Sequence, residues 1–157
     1  MNINIYGSTG IIGRAVLDLI EDNFPNLKIN LLCAKSNLSL LKKQIYKYKP
    51  KYAFLYDIDK LSGTNYKIDK TIILNFKELL SYLSSSSSDF SVLSISGYKS
   101  LYFLDKIISN TDNLGIANKE AIVSAGHIFK EKKYFNKTNI FPLDSEHFSL
   151  FDFFNKT

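Results

Sequence analysis

Three short segments carry residue types and spacings that can do chemistry. Gly7-Ser8-Thr9-Gly10-Ile11-Ile12-Gly13 sets three glycines three residues apart. Between a strand and a helix, such a run lets the backbone turn tightly and approach a phosphate. The helix N-terminus then offers N–H groups and a partial positive charge. Ser8 and Thr9 are expected to add hydroxyl donors. Ala117-Asn118-Lys119-Glu120 puts a lysine at a strand end, where it can meet a phosphate as a point charge. Asn118 would cap the following helix or touch a cofactor. Pro142-Leu143-Asp144-Ser145-Glu146-His147 holds two carboxylates two residues apart. In an extended segment they point to one side and converge on a hard cation, Mg2+ or Mn2+. His147, as the neighbour of Glu146, cannot face the same ion.

Each segment also has a plainer reading. The glycines alone make a tight turn, and Asn118 with Lys119 and Glu120 makes a capped helix start. Asp-Ser-Glu is more often a helix N-cap with first-turn acids than a metal site. Their positions are what raise them above that. A second strand ends at Ala34-Lys35-Ser36-Asn37, where folds of this type read the ribose of a dinucleotide. A carboxylate there would favour NAD; a lysine, a hydroxyl and an amide favour the 2′-phosphate of NADP.

The elements that must position these residues follow from periodicity. Residues 2–6, 28–34, 52–56, 71–74, 90–95, 114–117 and 139–141 read as strands. Helices are expected at 11–22, on a face of Ile12, Val16, Leu19 and Ile20, and after a cap at Asn37 or Ser39, on a face of Leu38, Leu41 and Ile45. Others are expected near 76–83, 101–108 and 119–130. The serine run 84–88 reads as a solvated loop. Strands alternating with helices imply right-handed crossovers and an α/β, doubly wound, mostly parallel sheet covered on both faces. Residues 1–141 are expected to form a Rossmann-like nucleotide-binding domain, and 142–157 the start of a catalytic domain.

Composition limits the classes. At 157 residues, 45% hydrophobic and 22% charged, the chain is about one ordinary globular domain. No apolar stretch approaches a membrane span, no secretory signal is visible, and Cys33 is the sole cysteine. A cytoplasmic protein without disulfides is expected. The net charge of +5 comes almost wholly from lysine, Arg14 being the lone arginine, which argues for a solvated lysine-rich surface and against nucleic acid as a partner.

In this order and on this fold, the segments resemble the N-terminal part of the 1-deoxy-D-xylulose 5-phosphate reductoisomerases, over residues 2–151. The resemblance implies an NADPH- and Mg2+- or Mn2+-dependent rearrangement and reduction of a sugar phosphate to 2-C-methyl-D-erythritol 4-phosphate, in non-mevalonate isoprenoid biosynthesis. It implies that Thr9, Gly10, Ile11 and Ile12 line the pyrophosphate, and that Asn37, Asn118 and Glu120 also touch the cofactor. Lys119, Ser145 and Glu146 would contact the sugar phosphate, with Lys119 and Glu146 at the chemistry. Asp144 and Glu146 would ligate the metal. The chain departs from the family pattern in three places. Lys35-Ser36-Asn37 stands where the family usually has Gly-Lys-Asn, which displaces the lysine, Ile11 stands where serine is common, and Ser94-Ile95-Ser96-Gly97-Tyr98-Lys99-Ser100 replaces a smaller glycine-rich turn. Family members are also more than twice as long. The chain is therefore expected to have little turnover by itself, acting with a separate C-terminal half or persisting as a non-catalytic nucleotide-binding remnant. A homodimer is usual for the family.

Overall fold

The computed structural model describes residues 1–57, 66–130, 137–145, 148, 149 and 152. The strands are β1 (Asn2–Tyr6), β2 (Lys28–Ala34), β3 (Tyr52–Leu55), β4 (Lys67–Ile68), β5 (Thr71–Leu74), β6 (Ser88–Leu93), β7 (Thr111–Ile116) and β8 (Asn139–Pro142). The helices are α1 (Ile11–Asn23), α2 (Leu38–Tyr48), α3 (Phe76–Ser85), α4 (Leu101–Ser109) and α5 (Lys119–Lys130), with a 3₁₀ turn at Tyr98–Ser100.

The strands form one sheet in the order β4-β5-β3-β2-β1-β6-β7-β8. Every pairing is parallel except β4 with β5. The chain winds outward from β1 through β2, β3 and β5, then returns through α3 to place β6 on the other side of β1. The direction of winding thus reverses between β1 and β6. In open α/β sheets the carboxyl ends of the strands at such a reversal are where ligands gather.

Side-chain alternation divides the interior into two layers. Ile3, Ile5, Leu32, Ala53 and Leu55 face Leu17 and Ile20 of α1 and Leu41 and Ile45 of α2. Tyr6, Leu31, Cys33 and Phe54 face Leu79 and Leu83 of α3, Leu104 and Ile107 of α4 and Ala121 of α5. Covered on both sides, the central strands are mainly apolar, as parallel strands tend to be, with Asn4, Ser88 and Ser91 as buried polar exceptions. One irregularity matters: the β1–β2 register slips between Ile3 and Asn4, so Ile3 pairs with Ile29 but Asn4 pairs with Leu31. The extra residue, Asn30, donates to the Tyr82 hydroxyl (2.7 Å), which in turn donates to Asn4 (3.1 Å). A polar chain thereby ties α3 to the middle of the sheet.

The expected elements form, with ends shifted by up to three residues, as at β7, which begins at Thr111, and with four larger differences. The buried face of α1 is Gly13, Leu17 and Ile20, while Leu19 is exposed. The pair β4 and β5 is a short antiparallel hairpin whose first strand, only two residues long, has too little pattern to be read from sequence. The serine run is a loop only in part: Ser84 and Ser85 end α3, Ser86 and Ser87 connect it to β6, and Ser88 opens β6, buried and bonded to Ser91 (3.0 Å) and Thr111 (3.1 Å). Finally, Asp144 does not continue an extended segment, as shown below.

Candidate functional site

At the end of β1 the chain turns at Gly7, whose φ of +99° is open to glycine and rarely to other residues. The N–H groups of Gly7 and Ser8 both donate to the Cys33 carbonyl at the end of β2 (2.9 and 2.8 Å). Gly10 donates back to the Gly7 carbonyl (3.0 Å) and serves as the N-cap of α1, with no side-chain cap. Arg14 N–H makes the first bond of the helix, to Gly10 (3.0 Å). The amides of residues 11–13 precede that bond and so point out of the helix end without an intrahelical partner. Steric room explains two of the glycines. A Cβ at Gly7 would lie 2.7 Å from the Ser94 carbonyl oxygen, and one at Gly13 only 2.2 Å from that of Gly7. Turn, helix start and β6 are in mutual contact through bare backbone.

Of the two hydroxyls expected to serve this turn, Ser8 does not. It is fully buried, donates to Gln44 Oε1 of α2 (2.8 Å), and receives Gln44 Nε2 at its own carbonyl (2.7 Å). The turn has to be anchored from below, and Ser8 is the residue facing inward. Thr9 and Gly10 line the cavity above the turn. Ile11 is 80% exposed and Ile12 half-buried, and neither side chain lines that cavity. They can contribute backbone N–H groups only.

The cavity, about 230 Å³, lies over the carboxyl ends of β1, β2, β3 and β6. Tyr6, Cys33, Phe54, Tyr56, Leu79 and Phe103 give it an apolar, largely aromatic floor, and Thr9, Lys35, Ser94 and Ser96 a polar rim. Among the described residues, no carboxylate lines it. Burial pushes the Tyr6 hydroxyl and the Cys33 thiol well above their ordinary ranges, so both are neutral wall groups. Lys35 is at the rim where the sequence expectation put it. Asn37 is not among the lining residues; its Oδ1 caps α2 by accepting from the Leu40 N–H (3.0 Å). Sequence reading passed over the aromatic floor. The available signal was position, since Tyr6, Phe54 and Tyr56 each lie at a strand end or one residue from it.

The second segment builds the far wall. Asn118 is buried, and its Nδ2 donates to the carbonyls of Ile95 and Gly97 (3.1 Å for the latter) and to Ser100 Oγ (2.8 Å). Its Oδ1 accepts from the Ala121 N–H (2.8 Å), capping α5. One amide thus holds the β6–α4 loop against the start of α5. The amide's donors and acceptor meet the loop and the helix, so Asn118 shapes the cavity through Ile95 and does not line it. Within the loop, Ser94, Ile95 and Ser96 face the cavity while Tyr98 is exposed, so Ile95 is the residue that narrows it. Lys119 is exposed at the first turn of α5. The Glu120 side chain lies outside the described residues.

The third segment follows β8, which pairs in parallel with β7, Ile116 opposite Pro142. Leu143 N–H still bonds the Ile116 carbonyl (2.7 Å), and the backbone then turns helical at Ser145. The Asp144 carbonyl accepts from the Phe148 N–H (2.9 Å), and Ser149 Oγ bonds the Ser145 carbonyl (2.8 Å). The geometry is a helix start, so the argument from alternating extended side chains does not apply. Asp144 is 9% exposed and Ser145 exposed. Glu146 and His147 lie outside the described residues. Among the described residues, no three His, Cys, Asp or Glu side chains form a group that could hold a metal. The topology nonetheless brings Lys119 and Asp144 to the same edge of the sheet, after adjacent parallel strands.

Comparison with known proteins points one way. Residues 3–126 match the family model for 1-deoxy-D-xylulose 5-phosphate reductoisomerase. The enzyme of that name from Pelagibacter ubique is 35% identical over 154 residues, and that from Lachnoclostridium phytofermentans 30% identical over 152. These alignments cover 94% and 95% of this chain but 39% of each relative. Among solved structures, the reductoisomerase from Zymomonas mobilis in complex with NADPH superposes with a TM-score of 0.79 at 26% identity, over 93% of this chain and 39% of that one. A DOX-P reductoisomerase in complex with NADPH, fosmidomycin and magnesium gives 0.77 at 25%, over 94% and 37%. A Staphylococcus aureus homoserine dehydrogenase, at 0.52 and 18%, shares the fold alone.

Proposed function

The chain belongs to the 1-deoxy-D-xylulose 5-phosphate reductoisomerase family, and we propose that it is the NADPH-binding part of an enzyme with that activity. The observation that carries the reading is the glycine turn between β1 and α1, opening onto a cavity at the point where the sheet reverses. The chain spans about 39% of the length of the curated relatives it matches. The reaction of the whole enzyme, conversion of 1-deoxy-D-xylulose 5-phosphate to 2-C-methyl-D-erythritol 4-phosphate, is therefore part of the proposal.

The residues present fit a dinucleotide. Gly7 and Gly13 have no space for a Cβ, which keeps the first amides of α1 and the Thr9–Gly10 backbone accessible to a pyrophosphate. Thr9, Gly10, Ile11 and Ile12 would hold it, the isoleucines through their N–H groups. The aromatic floor suits a planar base. Lys35 would meet the 2′-phosphate, with Asn37 at the start of α2 beside it. Asn118 would act on the cofactor by fixing Ile95, and Glu120 is assigned to the same side by resemblance.

For the cation the described residues offer Asp144, with Glu146 as the second carboxylate by resemblance. Mg2+ prefers about six oxygen ligands, so water, substrate or further residues would complete the shell. Lys119, Ser145 and Glu146 would grip the sugar phosphate from the adjacent edge. The chemistry such groups supply is hydride donation from a nicotinamide and polarisation of a carbonyl oxygen by a divalent ion. The chain's own contribution is to bind, orient and shield. With only Asp144 and Glu146 assigned to the metal, too few ligands to hold it tightly, the 157-residue chain by itself is expected to bind cofactor without turning substrate over. A complementing half and a homodimer are the partners the family suggests, and the lone buried cysteine supports a cytoplasmic setting. Among the described residues, no helix is long and apolar enough to cross a membrane.

The test is a fluorescence titration of the chain with NADPH and with NADH. Saturable binding about tenfold tighter for NADPH is expected, with Lys35→Ala abolishing the preference while leaving NADH binding unchanged. Equal affinity for both, or a preference that survives Lys35→Ala, contradicts the assignment of Lys35.

A further inference from the structure

We infer that Gln44, on α2, is the positioning residue that orients the Ser8–Thr9 peptide of the glycine turn and thereby makes the turn an anion receptor. Gln44 and Ser8 are both buried and meet in a reciprocal pair. Ser8 Oγ donates to Gln44 Oε1 (2.8 Å), and Gln44 Nε2 donates to the Ser8 carbonyl (2.7 Å). The second bond is the decisive one. All peptides here are trans, so the C=O of Ser8 and the N–H of Thr9 point in opposite directions. With the carbonyl held inward on Gln44, the Thr9 N–H is turned toward the cavity that Thr9 and Gly10 line. The opposite orientation would aim a carbonyl oxygen at the site where a phosphate must sit, and would repel it.

Among the described residues, nothing else fixes this peptide so directly. The bonds of Gly7 and Ser8 N–H to Cys33 anchor the preceding peptides, and Gly10 N–H to Gly7 anchors the following one. The Ser8 carbonyl lies between them and is satisfied by a side chain 36 residues away. Because α2 is capped by Asn37, two residues after Lys35, one rigid helix would then link the pyrophosphate turn to the reader of the 2′-phosphate. Only the affinity part of the inference rests on the cofactor reading above; the orientation of the turn does not.

Two substitutions separate the bonds. Gln44→Met keeps the shape and removes both. Gln44→Glu keeps an acceptor for Ser8 Oγ but, when ionised, sets a carboxylate against the Ser8 carbonyl. Protonated, that glutamic acid regains an O–H donor and restores the pair. Charged groups from both helices line the adjacent surface cleft: Arg14 and Asp18 from α1, Lys43 and Lys47 from α2. The cations favour the ionised acid, burial and Asp18 oppose it, and Tyr48, also in the cleft, is neutral over this range, so the titration should span about pH 5 to 8.5.

The experiment reads the Thr9 amide 15N shift in the ligand-free chain and, separately, NADPH affinity relative to wild type at each pH. The shift in Gln44→Glu should be displaced at high pH and return toward wild type as pH falls, and Gln44→Met should be displaced throughout. Relative affinity should fall about tenfold in Gln44→Met and in ionised Gln44→Glu, and recover in Gln44→Glu on acidification. Unmoved Thr9 shifts in the folded variants would overturn the inference, as would displaced shifts with undiminished affinity. If wild type binds no NADPH, the cofactor reading fails, and the Thr9 shifts alone decide whether Gln44 orients the turn.

Discussion

Gly13 illustrates how much of this site is set by single atoms. A methyl there would lie 2.2 Å from the Gly7 carbonyl oxygen and 2.7 Å from Ser8 Cα, both backbone. Neither can move without dragging the turn from β2, so Gly13→Ala should cost roughly 3 kcal/mol, read as a lowered urea midpoint, and should weaken NADPH binding in whatever fraction stays folded. An unchanged midpoint would mean the turn is not packed on the helix as described. The glycine spacing was legible in the sequence because a backbone contact of this kind admits no other residue. The role of Ser8 was not. Its hydroxyl is adjacent to the phosphate loop in sequence, but its direction depends on Gln44, and a partner 36 residues away leaves no local signal. Asn37 was legible for the same reason Ser8 was not, since capping is a local bond to Leu40.

At the scale of elements, the β6–α4 loop and the start of α5 are joined by one amide. Asn118→Ala would leave the Ile95 and Gly97 carbonyls without that donor and uncap α5. A loss of about 2–3 kcal/mol is expected, measured as a drop in Tm, with Asn118→Asp intermediate because it keeps the cap and loses the donors. Equal stability of the three would remove Asn118 from its place as the hinge of the far wall. The sequence showed a cap here and could not show the clamp, because the loop carbonyls it serves come from more than twenty residues upstream. Asp144 gives the converse lesson. Two acids at i and i+2 mean a convergent pair only if the backbone is extended, and Asp144 instead accepts the first bond of a helical turn. Periodicity cannot tell those apart over three residues. The serine run misled for a related reason: composition suggested solvent, whereas Ser88 satisfies its hydroxyl against Ser91 and Thr111 inside the sheet.

Over the whole molecule, alternation of strands and helices was enough to read a doubly wound sheet, but not which strands flank the reversal. That depends on α3 returning the chain across β1, a choice made by the two apolar layers together. The layer holding Tyr6 and Cys33 gives the fold a pH limit. Both groups are neutral in the folded protein, their ionisation raised above the ordinary 10.0 and 9.0 chiefly by burial. In the unfolded chain they ionise near those values, so each contribution is fully present below its own value, about pH 9 for Cys33 and about 10 for Tyr6, and declines above it by about 1.4 kcal/mol per unit. Tyr6→Phe should flatten the fall in Tm between about pH 9 and 11; a parallel fall would place the alkaline sensitivity elsewhere. The central claim is that the glycine turn and the cavity above it hold NADPH. Mapping amide 15N–1H shifts of the labelled chain during an NADPH titration tests it most directly. The largest changes should fall on residues 7–12, 34–37 and 94–96. Changes confined to the opposite end of the sheet, around Phe24, Lys28 and Lys49, or no changes at saturating cofactor, would contradict it.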